Sequence, residues 1–168
     1  MSPQNQWRLD LAKRIAPIYT EHPNVQVIVV GGSVSYGLAD CYSDVEIGLF
    51  WSQTPSIETR KAFANRIGIA KDFEPWNKHG DNGADEAIYI WGDQKTGFQF
   101  DIKHRLSTAE IESLTNPAEG SWEFWQYAIP IYGHELAQQW REETVPPHLK
   151  SSKPKFKTAS TISFLTGS

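Results

Sequence analysis

The sequence predicts an α/β fold of α+β type, a mixed, twisted sheet of about four or five strands with flanking helices mainly on one face. Three observations carry that expectation. VQVIVV at 25–30 and VEIGLFW within 43–51 are short runs rich in β-branched and apolar residues, of strand length and not helix length. A stretch with helical periodicity precedes the first run, and a second helical stretch follows the other. Two further β-rich runs flank a polar turn in EAIYIWGDQKTGFQFDIKHRL, the pattern of a hairpin.

Taken in order, residues 4–20 place Trp7, Leu11, Ile15 and Ile18 at steps of four, four and three, one face of an amphipathic helix. Pro17 marks a late distortion or the end of it. His22-Pro23-Asn24 is a turn, and the first strand runs from there to Gly31 and Gly32. A short helix over 33–39 leads to the second strand, 43–51. Ser56 caps a helix that continues to Ile67, with Glu58 adding negative charge to its first turn. DFEPWNKHGDNGADE, with its two glycines, proline and many acids, reads as a loop. After the hairpin, STAEIESL opens a helix at Ser107 or Thr108. PAEGSWEFWQYAI is a helical or mixed segment, IPIYG a short strand, and HELAQQWREE a last helix. From Pro146 periodicity is lost. The expected division is a catalytic domain over 1–145 and, over 146–168, an irregular basic tail or the start of a truncated C-terminal helical domain.

A chain of 168 residues is long enough for one real core. Its 39% hydrophobic and 21% charged residues are those of a folded protein. A net charge of -4 argues against extensive nucleic-acid binding, which needs a basic face. Cys41 is the only cysteine, which excludes an intrachain disulfide and a cysteine-based zinc site. The start, MSPQNQWRLD, has no signal-peptide pattern, and no apolar run approaches the roughly 20 residues that cross a bilayer. A soluble, cytoplasmic protein with no membrane partner is expected.

The chemistry concentrates in GGSVSYGLADCYSDVEIGLFW, residues 31–51. Strand side chains alternate, so Asp44 and Glu46 share a face, and Gly48 beside them leaves space for a ligand. In FQFDIKHR, Gln99, Asp101, Lys103 and Arg105 share one face in the same way. If the two strands are neighbours, Asp101 completes a cluster of three carboxylates. Such a cluster repels itself unless it is protonated or binds cations, and an all-oxygen site suits Mg2+ or Mn2+. Gly31 and Gly32 let the backbone approach a phosphate, Ser33 offers a hydroxyl, and the amides opening the next helix favour anions. Cation-binding acids and an anion-binding turn on adjacent strand ends describe a seat for a metal-bound nucleotide.

Gly32-Ser33, ten intervening residues, Asp44-Val45-Glu46, and later a lone acid in FQFDIKH together resemble the DNA polymerase β-like nucleotidyltransferase superfamily. SYGLADCYSD is more similar to its stand-alone bacterial members than to the polymerases. The resemblance spans roughly residues 5–135 in element order. It implies the minimal nucleotidyltransferase fold and an enzyme that moves a nucleoside monophosphate, AMP from ATP or from another NTP the corresponding monophosphate, to an acceptor hydroxyl with release of pyrophosphate. On that pattern Gly32 and Ser33 hold the β and γ phosphates. Asp44 bridges two Mg2+ ions, Glu46 helps bind them, and Asp101 binds the catalytic ion and draws the acceptor's proton. Lys103 is a candidate phosphate contact. The expected acceptor is a small molecule. Larger relatives carry a helical domain over the cleft, so this chain reads as a shortened form, with a homodimer or a partner protein to cover it.

Blander readings stand beside these. Asp44 and Glu46 as a solvated edge pair, Asp101 in a salt bridge with Lys103 or Arg105, and Lys103 as an exposed strand lysine are all ordinary. His104 falls on the apolar side of its strand, a structural position. Trp122, Phe124, Trp125 and Tyr127 suit core packing or the wall of a ligand site. The functional alternative is a catalytically silent nucleotidyltransferase-like regulatory or antitoxin module that binds a nucleotide or a protein partner.

Overall fold

The structure, a computed structural model, describes residues 1–67, 74–76, 82–89, 98–115 and 121–147. The hairpin turn at 92–97 and the tail from 148 onward lie outside the described residues.

Helix α1, Pro3–Thr20, is entered through Ser2, whose Oγ accepts from the Asn5 amide at 3.2 Å, and Pro3 occupies the first turn, where no amide partner is needed. Pro17 sits inside the helix near its end. Strand β1, Val25–Val30, is followed by α2, a single turn over Gly32–Tyr36, then β2, Val45–Trp51, and α3, Ile57–Arg66. The Ser56 hydroxyl caps α3 by accepting from the Thr59 amide at 3.1 Å. Strands β3, Glu74–Trp76, and β4, Asn82–Tyr89, precede β5, Phe98–Leu106. Helices α4, Ser107–Thr115, and α5, Ser121–Tyr127, then β6, Ile129–Tyr132, and α6, His134–Thr144, follow.

The strands form one mixed sheet in the order β3-β4-β5-β2-β1-β6. Its centre is the four longer strands, β4, β5, β2 and β1, bordered by the short β3 and β6. The β2–β5 pair is parallel and the remaining pairs are antiparallel. β3 and the start of β4 fall within the stretch read from sequence as a loop. Pro75 and the acids there suit an edge strand, where a missing amide costs no ladder bond.

The expected concentration of helices on one face is corrected by the structure, because both faces are covered. Leu11, Ile15 and Tyr19 of α1 and Phe63 of α3 pack on Ile28, Val30, Ile47, Leu49, Phe100 and Ile102. On the other face Trp125, Ala137 and Trp140 pack on Val27, Val29 and Phe50. β1 serves both cores by alternation, Ile28 and Val30 facing one and Val27 and Val29 the other, and it carries a bulge, since Val25 pairs with Trp51 and Val27 with Phe50. Gln26 is therefore the extra residue, and it resets the alternation so that Val25 and Val27 point to opposite cores. His104 is buried against the first core, and its Nδ1 accepts from Trp51 Nε1 at 3.1 Å, the structural role read for it.

Candidate active site

The turn after β1 is fastened to β2 by the Gly31 amide, which donates to Glu46 O at 3.1 Å. Gly32 has φ +56°, in the left-handed region, and a Cβ there would overlap Glu46 Oε2 and lie 3.0 Å from Glu46 Cδ. The glycine is thus required twice, by its backbone and by the carboxylate seated on its α-carbon. Gly32→Ala is expected to cost about 1–2 kcal/mol of stability from the backbone alone and to push Glu46 out of its seat. A urea midpoint unchanged from the parent would contradict this. Ser33 Oγ is buried and has no hydrogen-bond partner. Ser35 Oγ donates to Gly32 O at 2.8 Å, and Gly37, with φ 76°, ends the turn of helix.

Residues 38–44 are held from outside and from within. The Ala39 amide donates to Asn5 Oδ1 at 2.8 Å. Asp40 Oδ1 accepts from the Tyr42 amide and from Ser43 Oγ, each at 2.9 Å, bonds that hold the Asp40 carboxyl below the usual range. Arg8, buried in α1, donates from Nε and Nη2 to Ser43 O at 3.0 and 2.7 Å, and from Nη1 to Gln4 O and Oε1 at 3.0 and 2.9 Å. The loop is therefore anchored to α1 at the residue before Asp44. Sequence analysis missed Arg8, although the signal was present. It stands one helical turn before Leu11 and Ala12 on the stripe that continues through Ile15 and Tyr19, and a charge on a buried stripe calls for partners.

Asp44 lies just before β2, half-buried, and Glu46 lies within the strand. In the parallel pairing Glu46 stands opposite Asp101, Gly48 opposite Lys103 and Phe50 opposite Arg105. The neighbouring strands invoked from sequence are thus adjacent, with Asp101 beside Glu46. Burial pushes the Asp44 carboxyl up, and the charges of Glu46 and then Asp101 push it further, against a smaller downward pull from Lys103. The acids therefore feel one another electrostatically.

Lys103 Nζ forms an ion pair with Glu46 Oε1. Arg105 Nε lies 2.8 Å from Oε2 of Glu110, a buried carboxylate whose Oε1 accepts from Trp125 Nε1 at 2.6 Å. The two basic residues that sequence offered as partners for Asp101 reach other carboxylates as well, Lys103 that of Glu46 and Arg105 that of Glu110. In the sequence Glu110 reads only as an acid available to support the cap of the helix opening at Ser107 or Thr108, and its buried pairing with Arg105 and Trp125 had no local signal.

A pocket of about 240 Å3 opens beside Glu46, lined by Gly31, Gly48, Phe50, Lys103, Arg105 and Phe124 among others. It is small compared with the ~300–1,000 Å3 of drug-sized ligand sites. The space attributed to Gly48 is used first by the protein, since a Cβ there would stand 3.1 Å from Val29 and 3.2 Å from Phe50. Of the four aromatics singled out, Trp125 is core, Phe124 walls the pocket, and Tyr127 packs on Tyr36 with ring centroids 4.5 Å apart.

The donor set suits a hard divalent cation, with carboxylates on two adjacent strands, an Asp44 whose charge is disfavoured, and an orphaned Ser33 hydroxyl nearby. In the observed pose, however, no group of three or more His, Cys, Asp or Glu among the described residues is placed to hold a metal ion. One oxygen of Glu46 is paired with Lys103, and the other occupies the space a side chain at residue 32 would need.

No protein-family model and no curated protein matches the chain. Solved structures similar to it include the Cid1 poly(U) polymerase with Mg and 3'-dATP bound, at 17% identity over 62% of this chain and 32% of that one, with a TM-score of 0.44. A cytoplasmic RNA terminal U-transferase is 13% identical over 76% of this chain and 39% of its own, with a TM-score of 0.45. The chain spans between about a third and two fifths of these proteins. Superpositions this loose leave the functional assignment to the chain's own residues. No helix among the described residues is long and apolar enough to cross a membrane.

Proposed function

We propose that the chain is a metal-dependent nucleotidyltransferase that moves AMP from ATP to the hydroxyl of a small-molecule acceptor and releases pyrophosphate. The observation that carries this reading is the parallel register of Glu46 with Asp101, two residues after Asp44, beside a glycine turn whose serine hydroxyl is buried without a partner. On this reading Gly32 and Ser33 seat the β and γ phosphates, and Asp44, Glu46 and Asp101 hold two divalent cations. Mg2+ or Mn2+ supplies, when bound, the positive charge that both the clustered acids and the triphosphate need. Asp101 accepts the proton of the acceptor hydroxyl. The hydroxyl oxygen forms its bond to the α-phosphorus as the α–β bridging bond breaks, and the electron pair of that bond leaves with pyrophosphate. The turn contributes by fixing the triphosphate so that attack is in line. The unit proposed to do this is the expected 1–145 catalytic domain.

A second reading, a nucleotidyltransferase-like regulatory or antitoxin module without turnover, is favoured by one observation, the pairing of Glu46 with Lys103 within the protein. The two readings part in a single experiment. Incubated with α-labelled ATP, Mg2+ and a panel of hydroxyl-bearing acceptors, a transferase delivers label to an acceptor with one pyrophosphate released per transfer. ATP and Mg2+ together also raise its melting temperature more than either alone. Stabilisation by ATP without any label transfer selects the silent module, and neither effect removes both readings.

A further inference from the structure

We infer that Lys103 is a positioning residue that makes the site take a divalent cation and a triphosphate together in preference to the cation alone, an inference that rests on the nucleotidyl-transfer reading. Lys103 lies two residues along β5 from Asp101 and is paired across the sheet with Gly48, itself two residues along β2 from Glu46. Its ammonium reaches back to Glu46 Oε1. The lysine side chain is 59% exposed and the glutamate side chain 24%, so the ammonium is the outer member of the pair and the carboxylate the inner one. The second glutamate oxygen rests against the Gly32 α-carbon, in the turn assigned to the triphosphate. Lys103 therefore stands in the place of a counter-cation for the acids, and its charge also acts on Asp44.

A dication that enters alone must take Glu46 from Lys103. The freed ammonium is then left beside a double positive charge, in a pocket where Glu46 is the one carboxylate among the described lining residues and the other basic residue, Arg105, is paired with Glu110. The neighbouring acids give no relief, because the incoming ion claims Asp44 and Asp101 as well. A triphosphate changes the balance by offering Lys103 new anionic oxygens. Glu46 then passes from the ammonium to the metal while the ammonium passes from Glu46 to phosphate, and every charge keeps a partner. Loss of a pairing in one half of this exchange is compensated only by the other half. That is a coupling free energy between two ligands, and it acts equally on both. The pair is largely exposed, so the coupling is modest in size.

The test is Mn2+ binding followed by the EPR signal of the free ion, with and without saturating α,β-methylene-ATP, in the parent, Lys103→Met and Lys103→Arg. Lys103→Met is expected to bind Mn2+ alone about five- to tenfold more tightly than the parent and to show a correspondingly smaller gain on adding the analogue. Lys103→Arg, which keeps the charge, is expected to behave as the parent. The exposed position makes unfolding no obstacle, and a urea melt of each variant verifies it. Mn2+ affinity in Lys103→Met equal to or weaker than the parent's overturns the role of Lys103. If the analogue binds no variant with or without Mn2+, the nucleotidyl-transfer reading fails instead, and the comparison in Mn2+ alone still decides whether Lys103 holds the cation out.

Discussion

Asp44→Asn and Asp101→Asn are each expected to lower transfer of α-label from ATP by on the order of 10^3-fold, the scale seen when one preorganised electrostatic group is removed from a reacting centre. Loss of activity alone would not separate a catalytic acid from one that holds the fold, but stability does. The Asp44 carboxyl is pushed up by burial first and by Glu46 and Asp101 next. Between the unfolded value near 3.8 and the raised folded value, the native chain binds more protons than the unfolded one. Stability contributed at this residue therefore falls as pH rises through that window and is at its lowest above it. Asparagine, neutral throughout, removes the penalty. At pH 7 without metal, Asp44→Asn should melt at or slightly above the parent, and the two melting curves should converge as pH falls below 3.8. An Asp44→Asn protein that melts several degrees below the parent at pH 7 would show that the carboxylate stabilises the fold, and the assignment of Asp44 to a metal would lose its physical basis.

The parts of this site that sequence disclosed are those fixed by local rules. Strand alternation put Asp44 and Glu46 on one side, and the same period put Asp101, Lys103 and Arg105 on one side of their own strand. The first helix was legible from the spacing of Trp7, Leu11, Ile15 and Ile18, and that of 57–66 because Ser56 caps it ahead of a first-turn glutamate. What the sequence withheld depends on long-range pairing. Nothing local sets Glu46 opposite Asp101, because that register follows from how a parallel pair settles between two cores. The Gln26 bulge was hidden because a single polar residue in VQVIVV fits ordinary strand alternation as well as it fits an extra residue. Side-chain reach was hidden too. Lys103 was read as a phosphate contact, a solvated lysine or a partner of Asp101, and its pairing with a glutamate of the neighbouring strand could not be read from spacing along its own strand. Gly48 was read as space for a ligand, and it does line the pocket, but the close approach of Val29 and Phe50 to it depends on packing that spacing does not show.

Arg8 lies farthest from anything the motif describes, and it carries the second large expected effect. Arg8→Met is predicted to lower stability by about 2–4 kcal/mol, a net of several charge-assisted hydrogen bonds lost against the desolvation cost of a buried guanidinium recovered. Methionine fills much of the same volume and keeps contact with the Trp7 ring, over which the guanidinium now lies at 4.2 Å. What it cannot supply is the pair of donors to the Ser43 carbonyl. That carbonyl belongs to the residue before Asp44, so its anchor sets where the first acid of the site begins. With the anchor gone, the loop retains its internal Asp40 bonds and the tie from Ala39 to Asn5, which orient the loop but do not hold its far end to α1. Amide exchange at Tyr42 and Ser43 should therefore accelerate while β2 amides stay protected, and label transfer should fall even in conditions where the variant remains folded. Arg8→Lys, with one ammonium in place of a planar fork, should fall between the two. A variant that melts with the parent and exchanges its loop amides at the parental rate would mean that the loop is shaped by its own hydrogen bonds and that α1 has no part in aiming Asp44.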